Sequence, residues 1–185
     1  MKTKLKTLAT GSLVAVLSAT VAATLHAHED HDHDHPLIAV LTPTEGNDVT
    51  GTIIFTEADG KVTIEADVKG LKPNSSHGFH IHEFGDISAA DGKSAGGHYN
   101  PEKHDHALPD KEVRHAGDLG NLDADADGNA ELTLTVDNIS LMTGQDPIIG
   151  RSVIVHADPD DGGQPTGNAG PRIAMGVIGV ENPGD

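Results

Sequence analysis

Strict two-residue alternation constrains this chain more than any other feature. In Lys61 to Lys69 (KVTIEADVK), Val62, Ile64, Ala66 and Val68 fall on one side, and in Ala130 to Asp137 (AELTLTVD), Ala130, Leu132, Leu134 and Val136 do the same. Side chains of that period point to opposite faces of an extended backbone, so each run predicts a strand with one face in a core and one in water. Asp59-Gly60 and Asp127-Gly128 stand just before the two runs, where hairpin turns belong. Further strands are predicted over 37–42, 49–57, 77–83, 116–122, 151–157 and 172–180. Short strands separated by turn signals make an all-β antiparallel sandwich or barrel. Residues 84–114 and 157–171 break the pattern and are rich in Gly, Pro, Asp and His. Loops of that length in a small β domain are usually functional.

Composition agrees with a strand-built domain. There is no Trp, one Tyr and three Phe, so the core must come from Val, Ile, Leu and Ala, while 22 Gly and 10 Pro supply turns. The 185 residues suffice for one domain with a real core.

The amino terminus predicts export. Lys2, Lys4 and Lys6 precede an uncharged apolar stretch from Leu8 to Ala23, with cleavage after Ala23 or Ala27. That stretch is short for a membrane anchor, and the destination is secretion, into a bacterial periplasm. The expected division is a signal peptide at 1–23, a disordered His/Asp-rich tail at 24–35 (HAHEDHDHDH over 26–35) and one domain at 36–185. No cysteine is present, so neither a disulfide nor a lipid-modified cysteine is available. Loss of the leader removes three of 12 basic residues and none of 29 acidic ones, leaving a net charge of −20 with His neutral. That sign argues against nucleic-acid or anionic-membrane partners.

Eight of the 13 histidines lie beyond the tail, and they cluster. His80 and His82 are two apart on a predicted strand, so both rings project from one face as a bidentate imidazole platform suited to copper or zinc. The following loop adds His98, His104, His106, His115 and Asp118, and a later strand ends at His156. Asp123-Ala-Asp-Ala-Asp-Gly128 imitates the opening of a calcium loop, but the position of the closing glutamate is Leu134, so it reads as a hairpin turn.

The segments GFHIHEFGD (78–86), SAGGHYNP (94–101), RHAGDLGN (114–121), GRSVIVHADPDD (150–161) and GNAGPRIAMGVIGV (167–180) resemble, in order and spacing, the signatures of copper/zinc superoxide dismutases. The resemblance runs from about residue 37 to 180 and implies an eight-stranded Greek-key β-barrel. It further implies copper on His80, His82, His98 and His156, and zinc on His98, His106, His115 and Asp118, with His98 bridging the two. Asp160 matches the carboxylate that links copper ligand His80 to zinc ligand His106. His77 matches a brace for the copper-ligand strand. Arg172 matches the arginine that attracts the superoxide anion, with Thr166 across the channel mouth, and His98 doubles as the proton carrier. His106 is preferred to His104 because it stands eight residues after His98 and three before Pro109.

The chain departs from the family twice. The positions of the usual disulfide are Gly92 and Met175, so the metal-bearing loop must be held otherwise. The loop between His156 and Arg172 is shorter than the familiar eukaryotic form of the family and contains no Lys. Phe84-Gly85, Ile149-Gly150 and the GVIGV terminus resemble the family's dimer contact, so a homodimer is an expectation. The alternative to dismutation is a non-catalytic copper/zinc buffer or metallochaperone on the same fold, which the His-rich tail would also suit.

Overall fold

The computed structural model describes residues 35–182 and Gly184; the leader and the tail up to residue 34 lie outside the described residues. The strands are β1 (Leu37–Pro43), β2 (Thr50–Ala58), β3 (Lys61–Lys69), β4 (Ser76–His82), β5 (Asp118–Asp123), β6 (Ala130–Val136), β7 (Ser152–His156) and β8 (Arg172–Val180). All neighbours pair antiparallel, in the order β5-β4-β7-β8-β1-β2-β3-β6. The result is an all-β, nearly closed Greek-key barrel, as the alternation and the turn signals predict.

Local chemistry sets the register. Asp59 and Gly60 both take positive φ (53° and 70°), and Ala58 pairs with Lys61 across them. That is the two-residue hairpin turn whose twist suits the flanking strands. The register then places Phe55 opposite Ile64 and Ile64 opposite Leu134, so Val62, Ile64, Ala66 and Val68 all enter the core. The Asp127-Gly128 region is likewise a turn: Asp125 accepts the backbone N–H groups of Asp127 and Asn129 through one carboxylate oxygen.

β4 and β7 behave differently. Phe79, Ile81, Val153 and Val155 face the core, yet the alternate residues His80, His82, Ile154 and His156 are buried too. The cover comes from the two long loops. One of them holds a 3₁₀ turn at Lys93–Ala95, within a stretch predicted to be structureless. β5 begins at Asp118, two residues later than predicted, because Asp118 first closes a turn by accepting the His115 N–H at 3.0 Å.

The loop has no covalent tie, and the structure shows what holds it instead. Arg172 donates to the carbonyl oxygens of Gly92 and Gly96. Ala95 packs with Ile154 and Met175 in a small second core flanked by Ile87. The Gly97 N–H donates to Glu83 at 2.9 Å, and the Glu45 N–H to the Ala90 carbonyl at 2.9 Å.

Candidate metal centre

β4 delivers His80 and His82 from the face opposite Phe79 and Ile81, and β7 ends in His156 on the same side of the sheet. The first loop adds His98, joined to β4 by a bridge to His82. In this set, His80, His82, His98 and His156 each offer a donor atom within 4.8 Å of the others, and all four are buried. A second set, His98, His106, His115 and Asp118, is equally compact and equally buried. His98 belongs to both.

Hydrogen bonds decide which ring atom each histidine turns inward. His82 Nδ1–H donates to the Gly96 carbonyl and His156 Nδ1–H to the Gly170 carbonyl, both at 3.1 Å, so each presents Nε2. Those two Nε2 atoms lie 3.4 Å apart. His80 donates from Nε2 to one oxygen of Asp160 at 2.8 Å, and His106 from Nε2 to the other at 2.9 Å. Asp160 thereby links the two sets and leaves Nδ1 of both rings facing inward. Outer carboxylates of this kind fix tautomer and ring orientation.

His80 Nδ1 is buried without a hydrogen-bond partner, and buried His106 Nδ1 faces only Asp118 Oδ2, 3.0 Å away. A buried polar atom left unpaired costs about 1–3 kcal/mol, so His80 Nδ1 suits a bound metal ion, and His106 Nδ1 beside Asp118 is placed as a second ligand pair would be. In the second set, Asp118 Oδ1 lies 2.9 Å from His98 Nδ1 and 3.1 Å from His115 Nδ1, and those two nitrogens are 3.4 Å apart. Donors about 2.0–2.2 Å from a tetrahedral ion stand roughly 3.3–3.6 Å from one another. Three imidazoles and one carboxylate at nearly that spacing fit zinc. Four imidazoles, with no carboxylate among them, fit copper.

Electrostatics separate the two sets. Burial, then the neighbouring His98 and Arg172, holds His82 well below the ordinary histidine range. Burial lowers His98 to about 4, although Asp118 opposes it, and burial with His80 lowers His156 to about 3. These rings are therefore neutral at neutral pH, as metal ligands must be. His106 goes the other way: burial disfavours its charge, but Asp118 and Asp160 outweigh it and raise it to about 9. In the metal-free chain a proton takes the place between His106 and Asp118. Burial also works against the ionised Asp118, yet His106, His115 and His98 hold it far below the usual carboxylate range.

The remaining predicted residues are placed as follows. His77 is buried and donates from Nδ1 to the His156 carbonyl at 2.8 Å, bracing the end of β7. Arg172 pairs in register with His156 and is half-buried beside His82. Burial lowers the pKa of Arg172 slightly, against the pull of Asp91. Thr166 is exposed on the second loop. His104 lies outside both sets, 3.4 Å from Glu102 and bonded through Nδ1 to the Arg114 carbonyl. Two residues escape sequence reasoning. Asn121 exchanges hydrogen bonds with both backbone groups of Asp160 (2.7 and 2.9 Å), and Gln164 does so with both of His106 (3.2 and 2.7 Å). Asn121 lies inside a recognisable motif (RHAGDLGN), whereas an exposed glutamine in a short loop carries no signal.

Residues 49–178 match the family model described as copper/zinc superoxide dismutase. Among solved structures, the crystal structure of the clock protein EA4 is similar to this chain, with 42% sequence identity and a TM-score of 0.74 over 83% of this chain and 99% of that one.

Proposed function

The chain belongs to the copper/zinc superoxide dismutase family, and from that premise we propose that it converts two superoxide anions and two protons into oxygen and hydrogen peroxide. Copper is assigned to His80, His82, His98 and His156, and zinc to His98, His106, His115 and Asp118. The observation that carries this reading is the single ring of His98 standing in both donor sets. When bound, copper supplies a one-electron redox couple, and zinc supplies a redox-inert anchor for the shared histidine.

The chain's own groups do the rest. His98 keeps Nδ1 towards Asp118, so Nε2 is left for the all-imidazole set. That Nε2 is the atom at which a proton is held and passed to the departing product. Arg172 puts a fixed cation beside His82 and His156, where an anion would be drawn in. With no Lys in residues 157–171, that guanidinium carries the local attraction against a strongly acidic chain. Export to a periplasm, on the leader reading, and pairing of two copies through the region of Phe84 and Ile149 belong to the same proposal.

The test is metal analysis of the purified mature protein combined with a superoxide-consumption assay. His156→Ala should abolish dismutation while zinc stays bound. Full activity in that variant would sink the copper assignment, and two bound metals without turnover in the parent would favour the buffer reading.

A further inference from the structure

His106 reaches the second donor set from a stretch with no regular pairing of its own. Among the described residues, no backbone–backbone hydrogen bond outside the strands involves residues 104–107. The next residue, Ala107, donates its N–H to Asp118 at 3.2 Å. The peptide groups of His106 itself are satisfied by one side chain, from the other loop. The Gln164 Oε1 accepts the His106 N–H at 3.2 Å, and the Gln164 Nε2 donates to the His106 carbonyl at 2.7 Å. A carboxamide bonded to both polar groups of one residue copies the pairing of an antiparallel strand and fixes rotation as well as distance.

The same loop holds the other end of the residue. Asp160 accepts from His106 Nε2, and the loop closes between the two grips: the Asp161 N–H donates to the Gly167 carbonyl at 2.9 Å, and the Gly167 N–H to the Gly163 carbonyl at 2.6 Å. Gly167 has φ +78°, and a Cβ there would lie 2.1 Å from an Asp160 oxygen and 2.8 Å from His106 Nε2. The backbone of this short loop thus runs directly against the Asp160–His106 pair. With the peptide and Nε2 both held, the ring's remaining polar atom, Nδ1, points into the cluster with His98, His115 and Asp118, 3.0 Å from an Asp118 oxygen.

We propose that Gln164 is a positioning residue for the zinc site: its carboxamide clasps the His106 peptide and so presents His106 Nδ1 to the metal. The proposal rests on the zinc assignment made above. It gives the shortened loop a specific task, setting metal affinity from a position that touches no metal. Partners of a ligand that lie outside the metal's own contacts typically change affinity by roughly 10–100-fold when removed.

Zinc dissociation constants are measured by competition with a chromophoric chelator for the full mature chain and for Gln164→Ala, Gln164→Glu and His106→Ala. The ligand-field spectrum of cobalt substituted into the zinc site is recorded alongside. Gln164→Ala should bind zinc about 10–100-fold more weakly, with a shifted cobalt spectrum and an unchanged melting temperature for the metal-free protein. Gln164→Glu keeps the acceptor and loses the donor, so its affinity should fall between the two. A lower metal-free melting temperature with parental zinc affinity and cobalt spectrum would overturn the proposal, since it would make Gln164 merely structural. Parental zinc affinity in His106→Ala would instead overturn the zinc assignment on which the clasp depends.

Discussion

β3 and β4 are consecutive strands of the barrel, and they end in different environments. β3 buries Val62, Ile64, Ala66 and Val68 and turns Glu65 and Asp67 into water. β4 buries both faces from His77 to His82, because the loops at 83–117 and 157–171 roof its outer side. On the polar face in water, Thr63 and Thr135 share a hydrogen bond at 3.1 Å across β3 and β6. The roofed face becomes a buried compartment where His82 and His156 lose their charge and Asp118 keeps its own. One strand grammar thus makes a wall on one side of the barrel and a candidate metal compartment on the other. What separates them is the covering loop.

Removing the metals should strain that contrast most. A ligand that binds only the folded chain adds about 4 kcal/mol per site when it exceeds its Kd a thousandfold. The metal-free protein should therefore melt far below the loaded one and be cut by protease within 84–114. Hydrogen exchange should still find β1, β2, β3 and β6 protected. A metal-free form as stable and as protease-resistant as the loaded form would show that the roof holds itself.

Ile64→Ala attacks the other half. Ile64 is fully buried between Phe55 and Leu134, and the truncation should cost about 2–5 kcal/mol in denaturant unfolding. Zinc and copper stoichiometry should not change. Loss of metal from the folded variant would mean that the wall and the compartment are one unit.

The last expected effect is in pH. His98 and His156 sit near 4 and 3 in the folded metal-free chain, below the ordinary 6.5. The unfolded chain therefore binds more protons in that window, and stability rises as pH climbs from about 4 to 6.5. His106 is raised to about 9, so its contribution is complete below 6.5 and is lost as pH rises through 9. Melting temperature of the metal-free protein should accordingly peak near pH 6.5. The decline above 6.5 should vanish once metal replaces the His106 proton. A monotonic profile across pH 4–9 would contradict the opposed environments of the two sets.

Much of this was legible in the residues themselves. Period-two alternation and the Asp-Gly turns determined the strands, because which face a side chain takes is a local property of extended backbone. His-x-His at 80 and 82 determined a shared ring direction for the same reason. Choosing between His104 and His106 needed the family resemblance, since both ride one loop without periodicity and spacing alone favours neither strongly. Tertiary structure alone decided how that loop is held without a disulfide, because Arg172, Gly92 and Gly96 meet only after β8 pairs with β7. It also decided the start of β5, where the Asp118 carboxylate captures the His115 N–H and closes a turn over the first residues of the predicted strand. Gln164 is the plainest case. Its amide meets the His106 peptide across 58 residues of chain, and a long-range hydrogen bond from an exposed loop leaves no periodicity and no motif behind.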